Sequence, residues 1–202
     1  MERLPNESAV IDGKMLFWEQ YLLEYDLPAW DDIPDIGLYM DQVISLLDEY
    51  FDYLAPDIKG MPLATKAMIN NYVQAGIMPA SIRKRYYRVH LVYLIIICML
   101  KQSLSISEIS RALPADMPED KLHGVYDRFV TLRRSSAKYF CAEVKKSVAA
   151  LRGEERLEGY PEIDNADDLI LALSIAGGYS ILLAQKLTAE INALYTENAP
   201  GN

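Results

Sequence analysis

The sequence predicts a mainly α-helical fold. Three observations carry that prediction: apolar residues recur every three to four positions along most of the 202 residues, cap residues stand where those runs begin and end, and only one short stretch suits a β-hairpin. Hydrophobic residues make up 51% and charged residues 24%, an ordinary globular balance that fills a core without disulfides or metals. The length suits one domain at its upper size limit, or a small domain with an appended helical part. Three regions are expected: an acidic N-terminal arm over 1–36, a compact domain over 37–114, and long C-terminal helices over 115–202.

In the arm, Met15 to Leu23 can form a short helix carrying Phe17, Trp18, Tyr21 and Leu22, while Pro34 disfavours helix at Ile33. From Leu38 to Leu54, the residues Val43, Leu46, Leu47, Tyr50, Phe51 and Leu54 share one helical face. Thr65 to Gln74 sets Met68, Ile69, Tyr72 and Val73 on one face and Lys66, Asn70, Asn71 and Gln74 on the other, with Gly76 as the C-terminal stop. Pro79, Ala80 and Ser81 lead into the basic, aromatic stretch IRKRYY, which suits a small hairpin.

The apolar run from Val89 to Leu100 is followed by Ser105 and Glu108, spaced as a capping box for a helix reaching Leu113. Asp116, Pro118, Glu119 and Asp120 then mark the start of a long helix, because proline is tolerated in a first turn and carboxylates favour the positive end of the dipole. Helical spacing persists from Leu122 to about Arg152, where Gly153 stops it. Asn165 and Asp168 begin a last helix, interrupted at Gly177 and Gly178 and running to about Tyr195.

Charge falls in blocks. The net charge is −9, yet residues 1–57 hold 2 basic and 14 acidic side chains while residues 58–107 hold 7 basic and none acidic. Those seven are Lys59, Lys66, Arg83, Lys84, Arg85, Arg88 and Lys101. A window without carboxylates is the local positive potential that a polyanion needs.

Other classes find less support. No secretory signal is visible at the N-terminus, so a cytoplasmic location is expected. Leu91 to Leu100 is too short to cross a bilayer, and Leu169 to Gln185 carries polar residues and acidic flanks, so no membrane span is expected. Cys98 and Cys141 lie in apolar helical patterns without metal-ligand spacing and read as reduced core residues. No cofactor is expected, and no nucleophile constellation marks an enzyme. His90, at the head of an apolar helix, reads as a capping or packing residue. The aspartates of DDIPD (Asp31, Asp32, Asp35), with Asp164, Asp167 and Asp168, match the DDxxD pattern that holds magnesium diphosphate, a remote alternative.

The order helix, glycine stop, basic hairpin and apolar helix resembles a winged helix-turn-helix of the MerR kind. MINNYVQAGIMP resembles the end of a MerR recognition helix through Ile69, Tyr72, Gly76, Ile77 and Pro79, departing from it at Met68, Asn70 and Asn71. Lys84 and Tyr86, the run Leu91, Leu94, Ile97 and Leu100, and the following SISEI are similar to the close of the MerR wing and the helices after it. LYMDQV, MINNYV and KRYYRVHL also resemble a bacterial family known as domain of unknown function 1836, over most of Asp31 to Arg111.

The MerR resemblance implies a transcriptional regulator that binds double-stranded DNA. Lys66, Asn70, Asn71 and Gln74 would face the major groove, with Asn70 suited to bidentate pairing with adenine. Arg83, Lys84, Arg85 and Arg88 would meet phosphates, and the Tyr72 and Tyr86 hydroxyls would help position them, unless both rings are core residues. DNA-reading helices usually come in symmetric pairs, so a homodimer through residues 117–196 is expected, with room for a small-molecule effector that nothing in the sequence names. The principal alternative is a non-enzymatic protein-interaction module, in which the acidic arm covers the basic face.

Overall fold

The computed structural model describes residues 19–20, 22–51, 63–151, 175–177 and 180–181. It is mainly helical, in two compact units. One unit holds the described residues between 27 and 130; the other holds those between 19 and 26 and between 131 and 181.

In the first unit, a 3-10 turn at Trp30–Asp32 precedes α1 (Met40–Tyr50), α2 (Lys66–Gln74), α3 (Arg88–Leu100) and α4 (Ile106–Ala112). The long α5 (Glu119–Leu151) begins in the same unit. The core is built around α3, whose residues from His90 to Cys98 are all buried. A helix this apolar all round cannot sit at a surface. Helices α1 and α2 pack on each other, α1 packs on α3, and they bring Val43, Leu47, Ile69 and Tyr72 into this core.

The compact unit begins at Leu27, ahead of the boundary expected at residue 37. Leu27, Trp30 and Ile33 are buried, so this stretch of the acidic arm belongs to the core. The Tyr126 hydroxyl donates to the Pro28 carbonyl at 2.7 Å, and the Trp30 ring stacks on His123 with centroids 4.5 Å apart.

Several local signals are realised as spaced. The Thr65 hydroxyl accepts from the Met68 N–H at 3.1 Å and starts α2. Its end is a Schellman motif: Gly76 has φ +67°, its N–H donates to Val73, and the Ile77 N–H reaches back to Tyr72. Ser105 and Glu108 exchange their bonds at 3.3 and 2.7 Å to start α4.

The expected β-hairpin is smaller in the structure. No strand occurs among the described residues, only isolated antiparallel bridges pairing Leu38 with Tyr86 and Ile82 with Arg85. The geometry leaves no room for strands, because α3 begins at Arg88, directly after the bridged residues.

In the second unit, the described residues 19–20 and 22–24 are helical, and the 131–151 part of α5 buries Ala137, Cys141, Val144 and Val148. Asp26 receives a two-pronged bond from Arg134 at 3.0 and 2.7 Å, and Glu19 pairs with Lys145 at 2.5 Å. The Arg133 guanidinium donates to the Tyr25 carbonyl. The helix expected from Asn165 to Tyr195 lies outside the described residues, apart from 175–177 and 180–181, which are helical.

Candidate functional site

The outward face of α2 is polar and largely uncharged. Lys66, Asn70, Asn71 and Gln74 are all exposed, while Ile69 and Tyr72 on the opposite side are buried. The amides of Asn70, Asn71 and Gln74 make no hydrogen bond within the chain among the described residues, so their donors and acceptors stay open to an external partner. Lys66 forms an exposed ion pair of 2.6 Å with Asp41 of α1.

After the Schellman motif the chain enters a two-residue turn. Ile82 and Arg85 exchange both backbone hydrogen bonds at 2.9 Å, and the intervening Arg83 and Lys84 have φ of 51° and 63°. Left-handed geometry at both central positions is the I′ pattern, for which Asn-Gly is the preferred pair. Each non-glycine residue held there costs about 1 kcal/mol. Both side chains are exposed, and neither has a hydrogen-bond or ion-pair partner among the described residues.

The remaining described cations of the basic window, Arg85, Arg88 and Lys101, have work inside the fold. The Arg85 guanidinium donates to the Gly37 carbonyl at 2.8 Å and to the Tyr39 hydroxyl at 2.6 Å, lying 3.5 Å above the Tyr39 ring. The Arg88 Nε donates to the Ile33 carbonyl at 3.0 Å, with its guanidinium 3.8 Å from Asp31, while its backbone N–H approaches Asp35 at 3.4 Å. The Lys101 ammonium donates to the Leu63 carbonyl. Lys59 lies outside the described residues. Of the four cations expected to meet phosphates, Arg83 and Lys84 reach outward, whereas Arg85 and Arg88 tie residues 33–39 to the start of α3.

The two tyrosines settle on the packing side of their alternatives. Tyr72 and Tyr86 are buried, the Tyr86 ring meeting His90 edge to face at 5.6 Å. Burial raises the Tyr72 hydroxyl above its ordinary pKa, with a smaller push from Cys98. His90 itself is a buried cap: its Nδ1 accepts from the Tyr87 N–H at 3.0 Å, which makes Nε2 the protonated nitrogen facing the Ala80 carbonyl at 3.0 Å. That bond fixes the chain just before the turn, a role that the sequence showed only as a histidine at the head of an apolar helix.

The aspartates of the alternative reading stand differently. Asp31 and Asp35 face Arg88, and among the described residues no three His, Cys, Asp or Glu side chains converge as a metal ion would need. Asp164, Asp167 and Asp168 lie outside the described residues. A shallow groove of about 370 Å³ along α1 is lined by Asp41, Gln42, Ser45, Leu46 and Glu49, which gives that helix an acidic outer side. No helix among the described residues is long and apolar enough to cross a membrane.

The fold and site define a mainly helical domain with an exposed amide-bearing helix and a strained basic turn. The profile of the family described as domain of unknown function (DUF1836) matches residues 28–129, just over half of the chain. The chain belongs to this family. The match begins one residue after the compact unit does and ends one residue before it leaves α5. No curated protein and no solved structure matches the chain.

Proposed function

We propose that this protein is a DNA-binding transcriptional regulator built on a MerR-like winged helix-turn-helix, with α2 as the reading helix and the turn at 82–85 as a minimal wing. The observation that carries the reading is Arg83 and Lys84, two unpaired cations held in left-handed backbone where glycine or asparagine would be less strained. Strain kept at an exposed turn points to a use for the side chains there. Asn70, Asn71 and Gln74 offer base-edge contacts, and Lys66, Arg83 and Lys84 offer phosphate contacts. The protein acts in the cytoplasm as a homodimer through its C-terminal helices, which pairs two reading helices on one duplex.

A second reading, a protein-interaction module, draws on the acidic outer side of α1 and on the Asp41–Lys66 pair, both unfavourable beside a phosphate chain. Gel-shift titration against DNA from upstream of the gene separates the two. Arg83→Ala with Lys84→Ala is expected to weaken binding at least about thirtyfold, from two charge-assisted contacts of roughly 1 kcal/mol each in every copy. Unchanged binding, or none by the unaltered protein, favours the interaction module.

A further inference from the structure

The outer side of α5 carries exposed apolar residues: Leu132 is 47% and Tyr139 70% exposed, seven positions apart, with Ser135 and Ser136 exposed between them. Positions 128, 132, 135, 139 and 143 are spaced by three or four and therefore lie on one helical face. With Phe140 also 49% exposed, these side chains leave an apolar strip on the outer side of the helix, the kind of surface that a partner can cover.

We infer that this face receives the same face of a second copy in antiparallel register, with the two-fold axis between Ser135 and Ser136. This deepens the homodimer proposed above by naming its seam. In that register Leu132 of each copy meets Tyr139 of the other, and the small serines allow the backbones to approach where the helices cross. Arg128 then stands opposite Glu143. Arg128 is exposed and has no partner in its own chain among the described residues, while Glu143 pairs locally with Lys146 at 2.7 Å. Charge also selects the direction. A parallel pairing would set Glu143 against Glu143 and Lys146 against Lys146, whereas the antiparallel one brings opposite charges together and opposes the helix dipoles.

Two neighbouring cations are already neutralised, Arg134 by Asp26 and Lys145 by Glu19, while the exposed Lys138 keeps its charge beside the seam. An isologous pairing of this kind closes as a dimer without leaving a second free face.

Sedimentation velocity on the full chain at about 20 µM tests the seam. The unaltered protein is expected to sediment as a dimer, and Leu132→Asp with Tyr139→Asp as a monomer whose helical circular dichroism is unchanged, since both positions are exposed. Arg128→Glu or Glu143→Arg alone is expected to weaken the dimer about tenfold, and the two together to restore it. A monomeric unaltered protein, a dimer indifferent to the Asp pair, or a charge swap without rescue overturns the seam. Gel shifts run on the same samples keep the two readings apart: a monomer that binds DNA removes the seam alone, and a rescued dimer that binds none removes the DNA reading alone.

Discussion

At Arg83 and Lys84 the chain accepts backbone strain to display two positive side chains, and this exchange can be measured. Replacing the pair with Asn-Gly keeps the I′ turn and relieves the left-handed geometry, so stability in urea is expected to rise by about 1–2 kcal/mol. The same variant is expected to lose affinity for DNA. A gain in stability without loss of binding would show that the turn serves only to reverse the chain. The cysteines make the opposite case, of side chains removed from chemistry. Burial pushes the Cys98 thiol up to about 11, outweighing the lowering by Lys101, and burial also raises Cys141. Both are free and buried. In the folded protein a thiol-reactive chromophore at pH 8 is expected to label neither within minutes, and in denaturant both; prompt labelling of one in native buffer would refute the burial.

The helices are set by signals of different range, and this decides what the sequence revealed. Caps are local: Ser105 and Glu108 are three residues apart, so the start of α4 was readable from spacing alone, whereas the Thr65 cap of α2 uses a backbone N–H that no spacing marks. Thr65→Ala is expected to cost about 1 kcal/mol in urea denaturation and Thr65→Ser little, because serine retains the accepting oxygen. At α4 the Ser105 side-chain and backbone bonds hold the Glu108 carboxyl below its ordinary pKa. A lowered carboxyl stabilises the fold at neutral pH, and its contribution is lost as pH falls through the lowered value. Carboxyl NMR titration of Ser105→Ala is therefore expected to move Glu108 upward; no movement would mean that the box does not form. The polar face of α2 was equally legible, since Asn70, Asn71 and Gln74 follow the helical period and are exposed. The fate of Arg85 and Arg88 was not. Their partners Gly37 and Ile33 lie 48 and 55 positions earlier, and only the folded chain shows that these arginines latch residues 33–39 to α3. The basic window told that positive charge was gathered, not how much of it would remain outward.

For the molecule as a whole, that internal use of charge sets a quantitative expectation. A net charge of −9 repels DNA at long range, so binding must rest on a few local cations. Each copy offers Arg83, Lys84 and the exposed Lys66, whose surface pair with Asp41 contributes little and can open to a phosphate. Each neutralised phosphate adds about −0.9 to the slope of log K against log salt, so a dimer engaging three per copy is expected near −5. A monomer would show about half that value. Fluorescence anisotropy over a salt series measures the slope directly, and the Arg83→Ala, Lys84→Ala variant should lower its magnitude by about 4 in a dimer. A slope of about −8 or beyond would show that cations outside α2 and the turn also meet phosphates. A slope near zero would remove phosphate contact altogether and leave the acidic side of α1 as the better guide to what this domain meets.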